Sequence, residues 1–227
     1  MTWVKICATT NLRDAQASVA AGANALGFIF APSTRQIEAG TAAEIIAALP
    51  AGVEKIGVFV NETPEGVAEV AEQVGLSGCQ LHGDEPAVLL PEYRRALGGR
   101  KLIKTLQVRE LLAEESRRDL QTYLDAHSNI DAVLLDSGRP GNHGGTGVPF
   151  DWEMAVPIVQ RIKVVLPVII AGGLTAENVS EAIRLFEPWG VDVVSGVERE
   201  TGKKDEDRLL NFIAAARSSH VRASMKG

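Results

Sequence analysis

Lys5 and Cys7 stand two residues apart in the apolar run Val4-Lys5-Ile6-Cys7. On a β-strand that spacing puts both side chains on one face, roughly 6–7 Å apart. An ammonium at that range favours the thiolate, which makes Cys7 a candidate general base. The plainer alternative is a small buried hydrophobe, the commoner fate of a free cysteine. Asp136 closes the run Ala132-Val133-Leu134-Leu135. A carboxyl so placed is poorly solvated and holds its proton, which makes it a candidate general acid. It could equally cap a helix or pair with a nearby Arg or Lys. A base and an acid whose proton affinities are pushed apart can move a proton between atoms of one substrate.

Glycines gather beside these residues. Ala171-Gly172-Gly173-Leu174 and Ser195-Gly196-Val197-Glu198 follow apolar runs, and His143-Gly144-Gly145-Thr146-Gly147 lies downstream of Asp136. One such cluster reads as a turn. Several at adjacent strand ends read as a phosphate cradle, in which backbone N–H groups and helix N-termini meet an anion. Gly144, Gly145, Gly147, Gly172, Gly173, Ser195 and Gly196 are its candidate residues. Arg35 can meet a carboxylate with two hydrogen bonds, or stand solvated on the surface. His82 either donates to a ligand or satisfies a neighbouring carbonyl, and Cys79 reads as core. The histidines His82, His127, His143 and His220 lack metal-ligand spacing. The glycine-rich loops match neither a P-loop nor a dinucleotide fingerprint. We infer no metal and no cofactor.

The elements that must position these residues form one repeated unit. Short Val/Ile/Leu/Phe runs begin near Val4, Ala25, Glu54, Gly78, Lys101, Ala132, Pro167 and Gly190, one about every 28 residues. Helical patterns lie between them, among them Thr41 to Leu49, Pro64 to Val74, Pro86 to Leu97 and Arg109 to Ala126. Continuously apolar strands alternating with helices imply parallel pairing with both sheet faces covered. Eight βα units fit a single (β/α)8 TIM barrel, whose chemistry gathers at the C-terminal ends of its strands. A doubly wound open sheet is the alternative. Thr63-Pro64 and Thr175 mark helix starts. Residues 1–217 read as the barrel, and the polar stretch from Ser218 to Gly227 as a frayed end.

Composition sets outer bounds. The 227 residues are 45% hydrophobic and carry a net charge of −6. That excludes a disulfide scaffold or a disordered chain and disfavours nucleic acid or anionic lipid as partners. No apolar run is long enough to span a membrane, and the start does not resemble a secretory signal. With only Cys7 and Cys79, a cytoplasmic protein with free thiols is expected. The partner expected is a small phosphorylated substrate, bound by a monomer or homodimer.

Taken in order, Val4-Lys5-Ile6-Cys7, Gly27-Phe28-Ile29-Phe30, Gln80-Leu81-His82-Gly83-Asp84-Glu85 and Leu134-Leu135-Asp136-Ser137 form a pattern. It continues with Gly144-Gly145-Thr146-Gly147, Phe150-Asp151-Trp152, Ala171-Gly172-Gly173-Leu174 with Asn178-Val179, and Ser195-Gly196-Val197-Glu198. From about Val4 to Ile213 the chain resembles phosphoribosylanthranilate isomerase, the barrel enzyme of tryptophan biosynthesis. The resemblance implies an Amadori rearrangement of an aminoaldose to an aminoketose. It implies Asp136 as the acid that opens the furanose ring, Cys7 as the base at C2′, and Arg35 facing the substrate carboxylate. A related sugar-phosphate isomerase of histidine biosynthesis is the runner-up, but that chemistry uses paired carboxylates where this chain offers Cys7. A phosphate-binding barrel without catalysis would need neither Cys7 nor Asp136. Two departures stand out: Ala8 where the family usually has glycine after the cysteine, and Ser33-Thr34-Arg35 in place of Ser-Pro-Arg. Ala8 is harmless unless the backbone there takes a positive φ, in which case strain follows.

Overall fold

In the computed structural model, which describes residues 1–112, 117–137 and 151–223, the apolar runs are strands of one closed barrel. They are β1 (Trp3–Ile6), β2 (Ala25–Ile29), β3 (Glu54–Phe59), β4 (Gly78–Leu81), β5 (Lys101–Gln107), β6 (Ala132–Asp136), β7 (Val168–Ile170) and β8 (Gly190–Val193). Every neighbouring pair is parallel, and β1 pairs with both β2 and β8, which closes the ring and excludes the open sheet. The barrel's inside is packed by Trp3, Ala25, Ile56, Ile103, Ala132, Leu134, Ile169 and Ala171. A larger apolar shell fills the space between strands and helices. Two buried faces explain why the strands read as unbroken apolar runs.

Helices α1 (Leu12–Ala21), α2 (Ala39–Ala47), α3 (Pro64–Val74) and α4 (Leu90–Leu97) follow the first four strands. α3 keeps the expected bounds, with the Thr63 side chain accepting from the Gly66 N–H and proline at the first turn. α4 is shorter than its pattern: Ala87–Leu89 form a 3₁₀ turn first. Pro91, which has no N–H to continue an α ladder backwards, sits at the second position of the helix. The stretch expected as one helix from Arg109 to Ala126 holds α5 (Val108–Leu112) and α6 (Arg117–Asp125).

Helices α7 (Trp152–Lys163), α8 (Val179–Phe186) and α9 (Glu206–Ala223) complete the shell. α8 buries Val179, Ala182, Ile183 and Phe186, the face its sequence spacing marks. Its start corrects the expected hydroxyl cap: Asn178 is the N-cap, and the Asn178 side chain accepts from the Thr175 N–H. α9 also runs past the expected boundary at Arg217, because no glycine or proline between Ser218 and Ala223 breaks it. Between β8 and α9 lies a small antiparallel hairpin, β9 (Glu198–Glu200) with β10 (Lys203–Lys204). No helix among the described residues is long and apolar enough to cross a membrane.

Candidate active site

Cys7 follows β1 and Asp136 is the last residue of β6, so both stand at the C-terminal rim. They line one open cleft of about 820 Å³ together with Arg35, Gln80, His82, Gly172, Gly173, Asp192 and Ser195. The cleft therefore unites most of the residues whose spacing suggested chemistry. Gly144, Gly145 and Gly147 lie outside the described residues.

The surroundings of Cys7 are built from three strands. Its N–H donates to the Val193 carbonyl at 2.9 Å, and the Thr9 N–H donates to the Gly27 carbonyl at 2.8 Å. Gly27 is required by the thiol: a Cβ there would come within 2.5 Å of Cys7 Sγ. Lys204, buried in β10, donates from Nζ to the Cys7 carbonyl at 2.6 Å. Between these anchors Ala8 is fully buried with φ +61°. The positive φ that the harmless reading of Ala8 excluded is therefore present, and an alanine there carries strain that glycine would not.

Cys7 corrects a simple proximity argument. Burial pushes its thiol above the ordinary value; Lys5 pulls it down but does not offset the loss of water, and Asp192 adds to the rise. Resting Cys7 is thus a thiol. Lys5 is fully buried, and its Nζ donates to Asp192 Oδ1 at 2.7 Å and to Gln80 Oε1 at 2.9 Å. Burial pulls this ammonium down, yet Asp192 and Cys7 together raise it above its usual range. Cys79 is buried core, its thiol pushed up to about 12 by burial. Both cysteines are free.

Asp136 is 5% exposed. Ser137 Oγ donates to Asp136 Oδ1 at 3.2 Å, and His82 Nε2 stands 3.5 Å from Oδ2. Gly172 takes φ +85°, and a Cβ on it would fall 2.8 Å from Asp136 Oδ1 and closer still to Ser137. Glycine at that position lets β7's end pass the acid. Gly196 is as tightly placed, since its Cβ would meet the Leu174 carbonyl at 2.0 Å.

Arg35 reaches the cleft, but its fork is already held. Nε donates to Glu198 Oε1 at 2.9 Å and Nη2 to Oε2 at 2.7 Å. Glu198 Oε1 also lies 3.4 Å from Lys204 Nζ. One carboxylate therefore joins Arg35 to the lysine that holds the Cys7 carbonyl. Sequence reasoning assigned no role to Asp192, Gln80, Thr105, Gly27, Glu198 or Lys204. A legible trace existed for two of them: Gln80 and Asp192 are polar residues inside otherwise apolar strands. Among the described residues no group of three or more His, Cys, Asp or Glu could hold a metal.

A closed (β/α)8 barrel with a thiol, a carboxyl and glycine-opened strand ends in one rim cleft is a barrel enzyme equipped for proton transfer. A family model described as N-(5'phosphoribosyl)anthranilate (PRA) isomerase matches residues 4–215. The chain is 42% identical over 219 residues to an N-(5'-phosphoribosyl)anthranilate isomerase from Rubrobacter xylanophilus, covering 96% of this chain and 100% of that protein. The phosphoribosyl anthranilate isomerase structure from Thermotoga maritima aligns with a TM-score of 0.83 at 40% identity, over 96% of this chain and 100% of that one. Another isomerase structure, in complex with reduced 1-(o-carboxyphenylamino)-1-deoxyribulose 5-phosphate, aligns at 0.79 and 39% identity, over 96% of this chain and 100% of that one. The chain belongs to the phosphoribosylanthranilate isomerase family.

Proposed function

We propose that Asp136 and Cys7 are the acid and base by which this chain isomerises N-(5'-phosphoribosyl)anthranilate to 1-(2-carboxyphenylamino)-1-deoxyribulose 5-phosphate in tryptophan biosynthesis. The observation that carries this reading is their convergence on one cleft from opposite parts of the barrel, β1 and β6. Protonated Asp136 gives its proton to the furanose ring oxygen, the C1′–O bond breaks, and an open-chain Schiff-base cation forms. Cys7 as thiolate then takes the C2′ proton, and the C2′–H electron pair neutralises the cation as an enolamine. Tautomerisation of the enolamine gives the aminoketose.

Burial holds resting Cys7 as a thiol, so something must favour the thiolate at the second step. The Schiff-base cation is suited to this, because it adds a third positive charge to those of Lys5 and Lys204. Gly172-Gly173 and Ser195-Gly196 offer adjacent backbone turns for the phosphate, and Arg35 lies where a carboxylate can approach its remaining N–H groups. Steady-state kinetics of Cys7→Ala and Asp136→Asn test the assignment. Each should lower kcat by roughly 10²–10⁴-fold with a smaller change in KM. Near-normal turnover in either variant refutes that residue's role.

A further inference from the structure

The polar groups inside the upper barrel form one oriented chain. Lys5 Nζ can only donate, so the Gln80 atom 2.9 Å from it must be the amide oxygen. That choice turns the Gln80 NH₂ group away from Lys5, toward Thr105 Oγ1 at 3.1 Å and His82 Nδ1 at 2.8 Å. An NH₂ group cannot accept. His82 Nδ1 must therefore be the unprotonated nitrogen, and Thr105 Oγ1, 3.3 Å away, also brings a hydroxyl to it. The single imidazole proton then sits on Nε2, which faces Asp136 Oδ2 at 3.5 Å. This separation is long for a hydrogen bond, but such contacts commonly tighten when substrate binds.

The orientation has a chemical consequence for Asp136. An imidazolium beside it would hold it as a carboxylate and remove the proton that ring opening needs. Forming that imidazolium requires a proton on Nδ1, where it would meet the donors of Gln80. We propose that Gln80, with its amide oriented by Lys5, is a positioning residue that fixes His82 as the neutral Nε2–H tautomer and so excludes the imidazolium that would hold Asp136 as a carboxylate. The proposal rests on the reading of Asp136 as the acid. It gives buried Lys5 a part in the acid half of the reaction as well as beside Cys7. Among the described residues, the other charged groups around His82 are Asp192 behind Gln80, Asp84 on its own loop, and Lys104 and Glu110 across an adjoining cleft. Lys104 donates to Glu85 at 2.7 Å and is paired there.

Nitrogen-15 spectra of the histidine ring, with His82 assigned by its loss in His82→Gln, read the tautomer directly. In the unmodified enzyme at neutral pH, Nε2 should carry the proton and Nδ1 none; a proton on Nδ1 overturns the proposal without any Gln80 variant. Gln80→Glu replaces the opposing donor with an acceptor, so His82 should become doubly protonated. Its kcat should fall by roughly 10²-fold or more, as for loss of a general acid, with KM changing much less. Gln80→Met, which can neither donate nor accept at that place, should give a mixture of tautomers and a smaller loss. An unaltered His82 spectrum in Gln80→Glu, or an altered spectrum with unaltered kcat, overturns it. Full turnover in Asp136→Asn instead overturns the reading of the acid, whatever the His82 spectrum shows.

Discussion

Replacing Ala8 by glycine tests whether the backbone beside the base is strained, and Ala15→Gly supplies the matched control. Both alanines are completely buried, so each substitution removes the same methyl from the same kind of surroundings, at about 0.8 kcal/mol. Ala15 lies in α1, where glycine costs a further 0.5–1 kcal/mol, roughly. The control should therefore lose about 1.5 kcal/mol. At Ala8 the φ of +61° changes the sign of the conformational term. A left-handed alanine costs roughly 1–2 kcal/mol that glycine does not incur. Set against the lost methyl and the greater freedom of glycine in the unfolded chain, roughly 0.4–1 kcal/mol, the changes nearly cancel. Ala8→Gly should thus lie within about 1 kcal/mol of the parent, and above Ala15→Gly by about 1–2 kcal/mol. Urea unfolding with a common m-value measures the difference. Because the Val193 carbonyl and Lys204 hold Cys7 from outside residue 8, turnover should be preserved in Ala8→Gly. Equal losses for the two variants would refute the claim of strain.

Two further outcomes follow. Arg35→Ala should raise KM far more than it lowers kcat, since Arg35 lines the cleft with its fork held by Glu198 and is assigned to the substrate carboxylate rather than to proton transfer; an unchanged KM removes it from substrate binding. Burial raises the Cys79 thiol from an ordinary 9.0 to about 12, so the folded state holds a proton that the unfolded chain releases first. Its contribution to stability is complete below pH about 9 and is lost, at up to about 1.4 kcal/mol per pH unit, as pH rises toward 12. Unfolding measured across that window should fall less steeply in Cys79→Ala, and an unaltered slope contradicts the assignment.

The barrel was legible because strands covered on both faces leave a simple trace, an unbroken apolar run, and all eight runs became strands. Cys7 and Asp136 stood out because reactive groups at the ends of such runs are few. Other features depend on neighbours far away in sequence. Glu198 and Lys204 flank the charged segment Arg199-Glu200-Thr201-Gly202-Lys203, and nothing in that stretch of sequence signals that the fold brings Lys204 to Cys7. Gly27 gave no hint that its missing Cβ makes room for a sulfur. Spacing placed Lys5 near Cys7 correctly but could not weigh attraction against desolvation, and desolvation won.

The closure of β8 onto β1 also orders events in time. Cys7 is synthesised well before the groups that complete its surroundings. Lys5 is separated from Asp192 by 187 residues, and Lys204 from the Cys7 carbonyl by 197. Until the final unit leaves the ribosome, β1 presents an unpaired edge and Lys5 lacks its counter-ion. No N-terminal fragment can hold the thiol in its finished setting. Termination before residue 204 leaves the Cys7 carbonyl without Lys204, and termination before residue 192 also leaves Lys5 without Asp192.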